Sequence, residues 1–179
     1  MARPTQREVI LDAFQDLIVD VGAANVTLEA AASRAGVSKG GLLYHFPSKS
    51  DLFAGLVDRL ADAIDDTIAD APDDPADVVR WYIDAATDVV DGENTLWLAL
   101  FAATDAVDDD VAVLLGDLFA RYSRPLDVLP PLLGEHVRLV GDGLYFNALV
   151  GGPMPAAEHI AQIAGSLVRG LSSSSDHSD

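Results

Sequence analysis

Between Thr27 and Lys49 stand the residues of this chain best suited to meeting a polyanion at close range. They are its only two lysines, Lys39 and Lys49, together with His45, Tyr44, the hydroxyls of Thr27 and Ser38, and the adjacent glycines Gly40 and Gly41. Lysine and protonated histidine neutralise phosphate oxygens, and hydroxyls and backbone amides donate to them; Tyr and His can also reach base edges. Two consecutive glycines let another surface approach the backbone closely, at a helix-propensity cost of about 1 kcal/mol each. This is the chemistry of recognition and not of bond breaking.

Two short helices are needed to position these groups. Thr27 is a good N-cap for the first, whose inner face is Leu28, Ala31, Ala32 and Ala35; the small alanines leave room for a close crossing. Gly36 supplies a positive φ that ends it, and Ser38 caps the second helix. Leu42 and Phe46 anchor that helix from inside, while Lys39, Gly40, Gly41, Tyr44 and His45 fall on its first turns and outer face. A four-residue link, Ala35 to Ser38, makes the pair a helix-turn-helix, and such a second helix can enter a major groove.

The stretch GVSKGGLLYHFPSK, preceded by TLEAAASRA, resembles the DNA-binding segment of TetR-family transcriptional regulators. The likeness is strongest over residues 5 to 57; beyond them only the order and length of the helices are similar. Leu43 stands where the family usually has Tyr, with Tyr44 following, which leaves the family's usual tyrosine–phosphate contact unassigned. Gly41 replaces a frequent Thr. The resemblance implies DNA contacts from Thr27, Ser38, Lys39, Gly40, Gly41, Tyr44, His45 and Lys49. It also implies an all-α chain of about nine helices: a DNA-binding domain over 1–57, an effector-binding and dimerisation domain over 58–171, and a tail, 172–179, with no apolar residue and no expected order. The last two helices would pair with their twins, giving a homodimer on a palindromic double-stranded operator. A small-molecule effector would control binding, most simply as a repressor.

Net charge is −18, which taken whole argues against a nucleic-acid partner. Its distribution removes that objection: residues 1–50 carry five basic and five acidic side chains, whereas residues 51–179 carry 6 and 24. A neutral reading segment on an acidic body would be steered head-first onto DNA. Asp dominates the acidic residues and Lys is nearly absent, as expected of a salt-in halophile or of a GC-rich genome.

Along the chain, Thr5-Gln6-Arg7-Glu8 has the form of a capping box opening a helix that Gly22 stops, with Arg3 and Arg7 near its start as further phosphate candidates. Ser48 to Asp51 begins a long helix to about Ala71, whose N-terminus and Lys49 suit an anion. A helix runs from Pro75 to Gly92, then a nearly all-apolar one, Thr95 to Thr104, and another from Asp108 to Tyr122. Pro130 and Pro131 break any helix that continues past Leu126–Leu129, and the final helices are expected over His136–Val150 and Pro155–Leu171. Gly141, Gly143, Ala148, Ala161, Ala164 and Gly165 allow close approach in these last two.

The aromatic residues Trp81, Tyr82, Trp97, Phe101, Phe119, Tyr122, Tyr145 and Phe146 read either as core or as the lining of an effector cavity. No basic residue lies near the middle of the apolar Leu96–Ala103 run, so the expected effector is apolar and neutral or cationic. There is no cysteine. The four histidines, His45, His136, His159 and His177, share no metal-binding spacing, and nucleophile-elbow, P-loop and dinucleotide motifs are lacking. No enzyme, cofactor or metal is therefore implied. Asp65/Asp66 and Asp108–Asp110 read as solvated faces. The N-terminus has no apolar targeting region, and Leu96–Ala103 is too short to span a bilayer, so a cytoplasmic protein with no membrane partner is expected. The alternative is a helical protein-interaction module with a vestigial helix-turn-helix.

Overall fold

The computed structural model describes residues 4–87 and 109–174, and among them every regular element is helical. The α-helices are α1 (Gln6–Val21), α2 (Leu28–Arg34), α3 (Lys39–His45), α4 (Lys49–Ala69), α5 (Pro75–Ala85), α6 (Asp109–Tyr122), α7 (Pro131–Leu149) and α8 (Ala157–Ser174). Single 3-10 turns span Ala23–Asn25 and Arg124–Val128. The apolar helix expected over Thr95–Thr104, with Trp97 and Phe101, lies outside the described residues, as does Arg3.

The helix starts are set by local hydrogen bonding. Thr5, Thr27 and Ser38 each accept the amide three residues on, at 3.2, 3.1 and 3.0 Å, and so satisfy one of the orphan donors of α1, α2 and α3. At α4 the box is reciprocal: Ser48 N–H donates to the Asp51 carboxylate at 2.8 Å and Asp51 N–H donates to Ser48 Oγ at 3.1 Å. Asp74 accepts from Ala76 and Asp77 amides at 2.9 and 3.2 Å, with Pro75 at the first position of α5, where no N–H is required. Gly22 and Gly36 take φ of 80° and 67°, ending α1 and turning the chain between α2 and α3.

Three boundaries depart from the sequence reading. Helix α5 ends at Ala85 and not at Gly92, and the amide and the hydroxyl of Thr87 both turn back to the Asp84 carbonyl, at 3.0 and 2.8 Å. Helix α7 begins at Pro131 and not near His136, because a proline in the first turn lacks only an N–H that would be unpaired anyway. Helix α8 reaches Ser174, so the first three residues of the expected tail are helical; residues 175–179 lie outside the described part.

The chain divides into two compact units, and the division falls inside α4, between Ala63 and Ile64, and inside α6, between Leu118 and Phe119. In the first unit α1 buries Ile10, Leu11, Phe14, Leu17 and Ile18, and α4 buries Leu52, Phe53, Leu56, Val57 and Leu60. Phe14 and Phe53 meet edge to face with centroids 5.0 Å apart. Arg59 of α4 then ties the surface to α1, reaching Glu8 at 2.7 Å and Asp12 at 2.8 Å.

In the second unit α5 packs against both α7 and α8. Val78, Val79 and Tyr82 meet Leu126, Leu129, Leu133 and Val137, and beside them Ile83 and Ala86 meet Leu144 and Ala164. Gly141 makes the first of these clusters possible. A Cβ there would stand 2.4 Å from Tyr82 Cε1, so α7 can lie over the Tyr82 ring only where it has no side chain.

Candidate nucleic-acid interface

Helix α3 is short, and its fixing points are all on one side. Leu42 is fully buried and Phe46 nearly so, Phe46 being extended at φ −139° ahead of Pro47. Phe46 is seated by Gly55 of α4, where an added Cβ would lie 2.8 Å from the Phe46 ring and 3.0 Å from Leu11. The guanidinium of Arg7 lies over the same ring, 5.3 Å from its centroid. These contacts leave the opposite side of α3 free of packing, and Ser38, Lys39, Gly40 and Tyr44 are exposed there. Tyr44 is 83% exposed, its ring set edge-on to His45 at 5.1 Å.

All the expected contact residues but one lie in α3 or at the caps of α2 and α3. Thr27 and Ser38 are exposed caps, one at the start of each helix of the motif. Gly40 has nothing nearer to a built Cβ than Ser38 Oγ at 4.0 Å, so no internal packing calls for a glycine there. At Gly41 the same oxygen would stand at 3.3 Å. His45 is half-buried, with its Nε2 3.4 Å from Gln6 Oε1 of α1. The exception is Lys49: its ammonium donates to the Ala23 carbonyl at 2.6 Å and lies 5.9 Å from the Phe53 ring centroid. It ties α4 to the turn after α1, and a phosphate would have to share it through one of its remaining donors.

Lys39 has a partner that sequence reasoning does not single out. Its Nζ lies 2.5 Å from Oε1 of Glu29, in the first turn of α2, and both side chains are more than half exposed. The hydrogen bond from Lys39, then the Glu29 backbone amide and the lysine's charge, hold the Glu29 carboxyl below the usual carboxylate range. A ten-residue separation across a turn gives no periodic signal; only the crossing of α2 and α3 brings the two together.

Known proteins resemble the chain both in sequence and in fold. The sequence model of the tetR family of bacterial regulatory proteins matches residues 10–56, and that of the tetracyclin repressor-like C-terminal domain matches residues 76–171, more than half of the chain.

The chain belongs to the TetR family.

That family is one of bacterial regulatory proteins, and its N-terminal model covers the helix-turn-helix described above. Among relatives, the nucleoid occlusion factor SlmA of Aliivibrio fischeri is 32% identical over 79 residues, 44% of this chain and 40% of that protein. The regulator BetI of Stenotrophomonas maltophilia is 31% identical over 108 residues, 56% of this chain and 55% of BetI. The matches therefore span about half or less of these relatives' length. In fold, the multidrug binding protein EbrR complexed with malachite green superposes with a TM-score of 0.74 at 19% identity, over 92% of this chain and 98% of EbrR.

The second unit holds the residues considered for an effector. Tyr82 is buried and packs on Tyr122 at 5.3 Å and Trp81 at 6.3 Å, while Trp81 and Tyr122 are 6.3 Å apart. Its hydroxyl donates to Asp142 at 3.2 Å, and Arg138 holds the other oxygen of that carboxylate at 3.1 Å. Burial first, then the Asp142 charge, pushes the Tyr82 phenol far above its ordinary pKa, so it stays a neutral donor. Tyr145 packs separately, with the Ile83–Leu144 cluster. Phe119 and Phe146 are exposed at 42% and 58%, and Trp97 and Phe101 lie outside the described residues. No helix among the described residues is long and apolar enough to cross a membrane, and no group of three potential metal ligands occurs among them.

Proposed function

We propose that the chain is a ligand-responsive repressor that binds a palindromic operator as a homodimer. The observation that carries this reading is the outer side of α3, where Lys39, Gly40 and Tyr44 are exposed on a helix whose buried packing is all on its inner side. Lys39, Gly40 and Gly41 enter the groove, Tyr44 and His45 contact phosphates or base edges, and Thr27, Ser38 and Lys49 set the register on the backbone.

Support for the dimer comes from α7, whose exposed apolar residues Leu132, Leu139 and Phe146, with Val150 at its C-cap, recur at helical spacing along one face. Gly143 lies on that face too, with open space where a Cβ would be. On α8, Ala157, Ala161 and Gly165 recur every four residues, and the first two are exposed. A second copy of α7 and α8 covers these surfaces. Phe146 then belongs to the dimer face and not to an effector site.

The effector, apolar and neutral or cationic, is met by Trp81, Tyr82 and Tyr122; the aromatic dye bound by EbrR is a ligand of that kind. It shifts the dimer towards a conformation whose recognition helices no longer match half-sites roughly 34–36 Å apart. Binding of wild type, Lys39→Ala and His45→Ala to the DNA upstream of the chain's own gene, against an unrelated duplex, tests the reading. Both variants should lose affinity with unchanged melting temperature and mass; loss of folding would make these residues structural.

A further inference from the structure

Lys39 and Glu29 present a donor and an acceptor side by side at the start of the recognition helix, 2.5 Å apart and both exposed. Other ion pairs of the first unit brace helix to helix: Arg34 reaches Asp20 at 2.6 Å, and Arg59 reaches Glu8 and Asp12. The Lys39–Glu29 pair also joins two helices, α2 and α3, but at a corner that the buried Ala31 and Ala32 and both caps hold as well, and its exposed groups face solvent.

A base pair offers the complementary arrangement. In a G·C pair the guanine O6 accepts and the cytosine N4–H donates on the major-groove edge. The two atoms are hydrogen-bonded to each other, about 2.9 Å apart. An ammonium and a carboxylate already in contact can therefore meet O6 and N4 together without separating. We propose that Glu29 and Lys39 act as one unit that reads a G·C base pair in each half-site, with guanine on the Lys39 side and cytosine on the Glu29 side.

The order of preference is set by the neighbouring atoms. Guanine N7 gives the ammonium a second acceptor next to O6. A T·A pair keeps the acceptor–donor order through O4 and N6, but sets a methyl group beside the ammonium and the adenine N7 acceptor beside the carboxylate. A·T and C·G reverse the order, facing donor to donor and acceptor to acceptor. The ranking is G·C, then T·A, then the other two. Glu29 does as much as Lys39 here, because a carboxylate left facing O6 or a phosphate is repelled. An exposed glutamate is ionised at neutral pH and accepts, and the Lys39 contact favours that form further.

The inference rests on the operator-binding reading, and the experiment separates the two. Full-length wild type, Glu29→Gln, Lys39→Gln and the double variant are each used to enrich duplexes from a randomised library. The affinities for the wild-type site and for its single base-pair substitutions are then measured by fluorescence anisotropy. Wild type should show one G·C position per half-site at which substitution costs about tenfold. Glu29→Gln and Lys39→Gln should each relax that same position and no other, and the double variant should add little to either. Three outcomes overturn the inference alone: relaxation at different positions, no relaxation, or a uniform rise in affinity of Glu29→Gln for every sequence, which would make Glu29 only a counter-ion. Failure of folded wild type to enrich any sequence would overturn the operator-binding reading and this inference together.

Discussion

Replacing Gly40 with alanine should move stability and DNA binding in opposite directions. Gly40 is the second residue of α3, and a Cβ built on it meets nothing closer than Ser38 Oγ at 4.0 Å. In the free protein alanine therefore introduces no clash and removes the backbone freedom that glycine retains when unfolded. The gain should be about 0.5 kcal/mol, the low end of the glycine-to-alanine range, since the position lies in the first turn. On DNA the same methyl fills the space into which the duplex backbone or a base must come. Overpacking by one methyl costs about 1–3 kcal/mol in a close contact. Two heads per dimer double this, so affinity should fall by roughly 30-fold or more. Urea unfolding followed by circular dichroism gives the first quantity, and anisotropy on an enriched duplex gives the second. A more stable variant with wild-type affinity would refute close backbone approach; a less stable one would show that the glycine serves the fold. Gly41→Ala is the comparison, because its Cβ would press at 3.3 Å on the oxygen that caps α3, and little or no stabilisation should result.

Other perturbations test the second unit. Gly141→Ala places a methyl 2.4 Å from the Tyr82 ring and should destabilise by about 1–3 kcal/mol in urea; an unchanged midpoint would mean that α7 does not lie over that ring. Tyr82→Phe deletes the hydroxyl that donates to Asp142 and should cost about 1–2 kcal/mol, with Arg138 still holding the carboxylate. No loss would indicate that water replaces the hydroxyl at that site. Leu139→Glu and Phe146→Glu, at positions 59% and 58% exposed, should leave each chain folded and yield monomers in sedimentation velocity. A persistent dimer would locate the interface elsewhere.

Features decided within a few residues are the ones most legible in the sequence. Thr27 and Ser38 cap because a hydroxyl three residues before an amide can reach nothing better, and Gly36 turns because only glycine adopts its φ without penalty. The outer residues of α3 are legible for the same reason, once Leu42 and Phe46 mark its inner side. Pairings across the chain are not. Glu8 has the spacing of a capping-box partner, yet its carboxylate bonds Arg59, fifty-one positions away. Lys49 reads as free for phosphate because the Ala23 carbonyl, twenty-six residues earlier, carries no side-chain signal. Gly55 is silent in a helix otherwise patterned for burial; its need comes from Phe46 and Leu11, which approach it from other elements. Gly141 is legible as a site of close approach, but what approaches is the ring of Tyr82 on α5. The two prolines before α7 read as breakers, although Pro131 occupies the one part of a helix that tolerates it.

The central claim is that α3 reads a specific duplex as part of a two-fold dimer. Its most direct test is enrichment from a randomised duplex library with the full chain, at KCl concentrations from low to molar. The expected product is a single inverted repeat, with half-site centres one helical turn, roughly 34–36 Å, or a multiple of that apart, and two chains per duplex. A folded protein that enriches no sequence at any of these salt concentrations would contradict it.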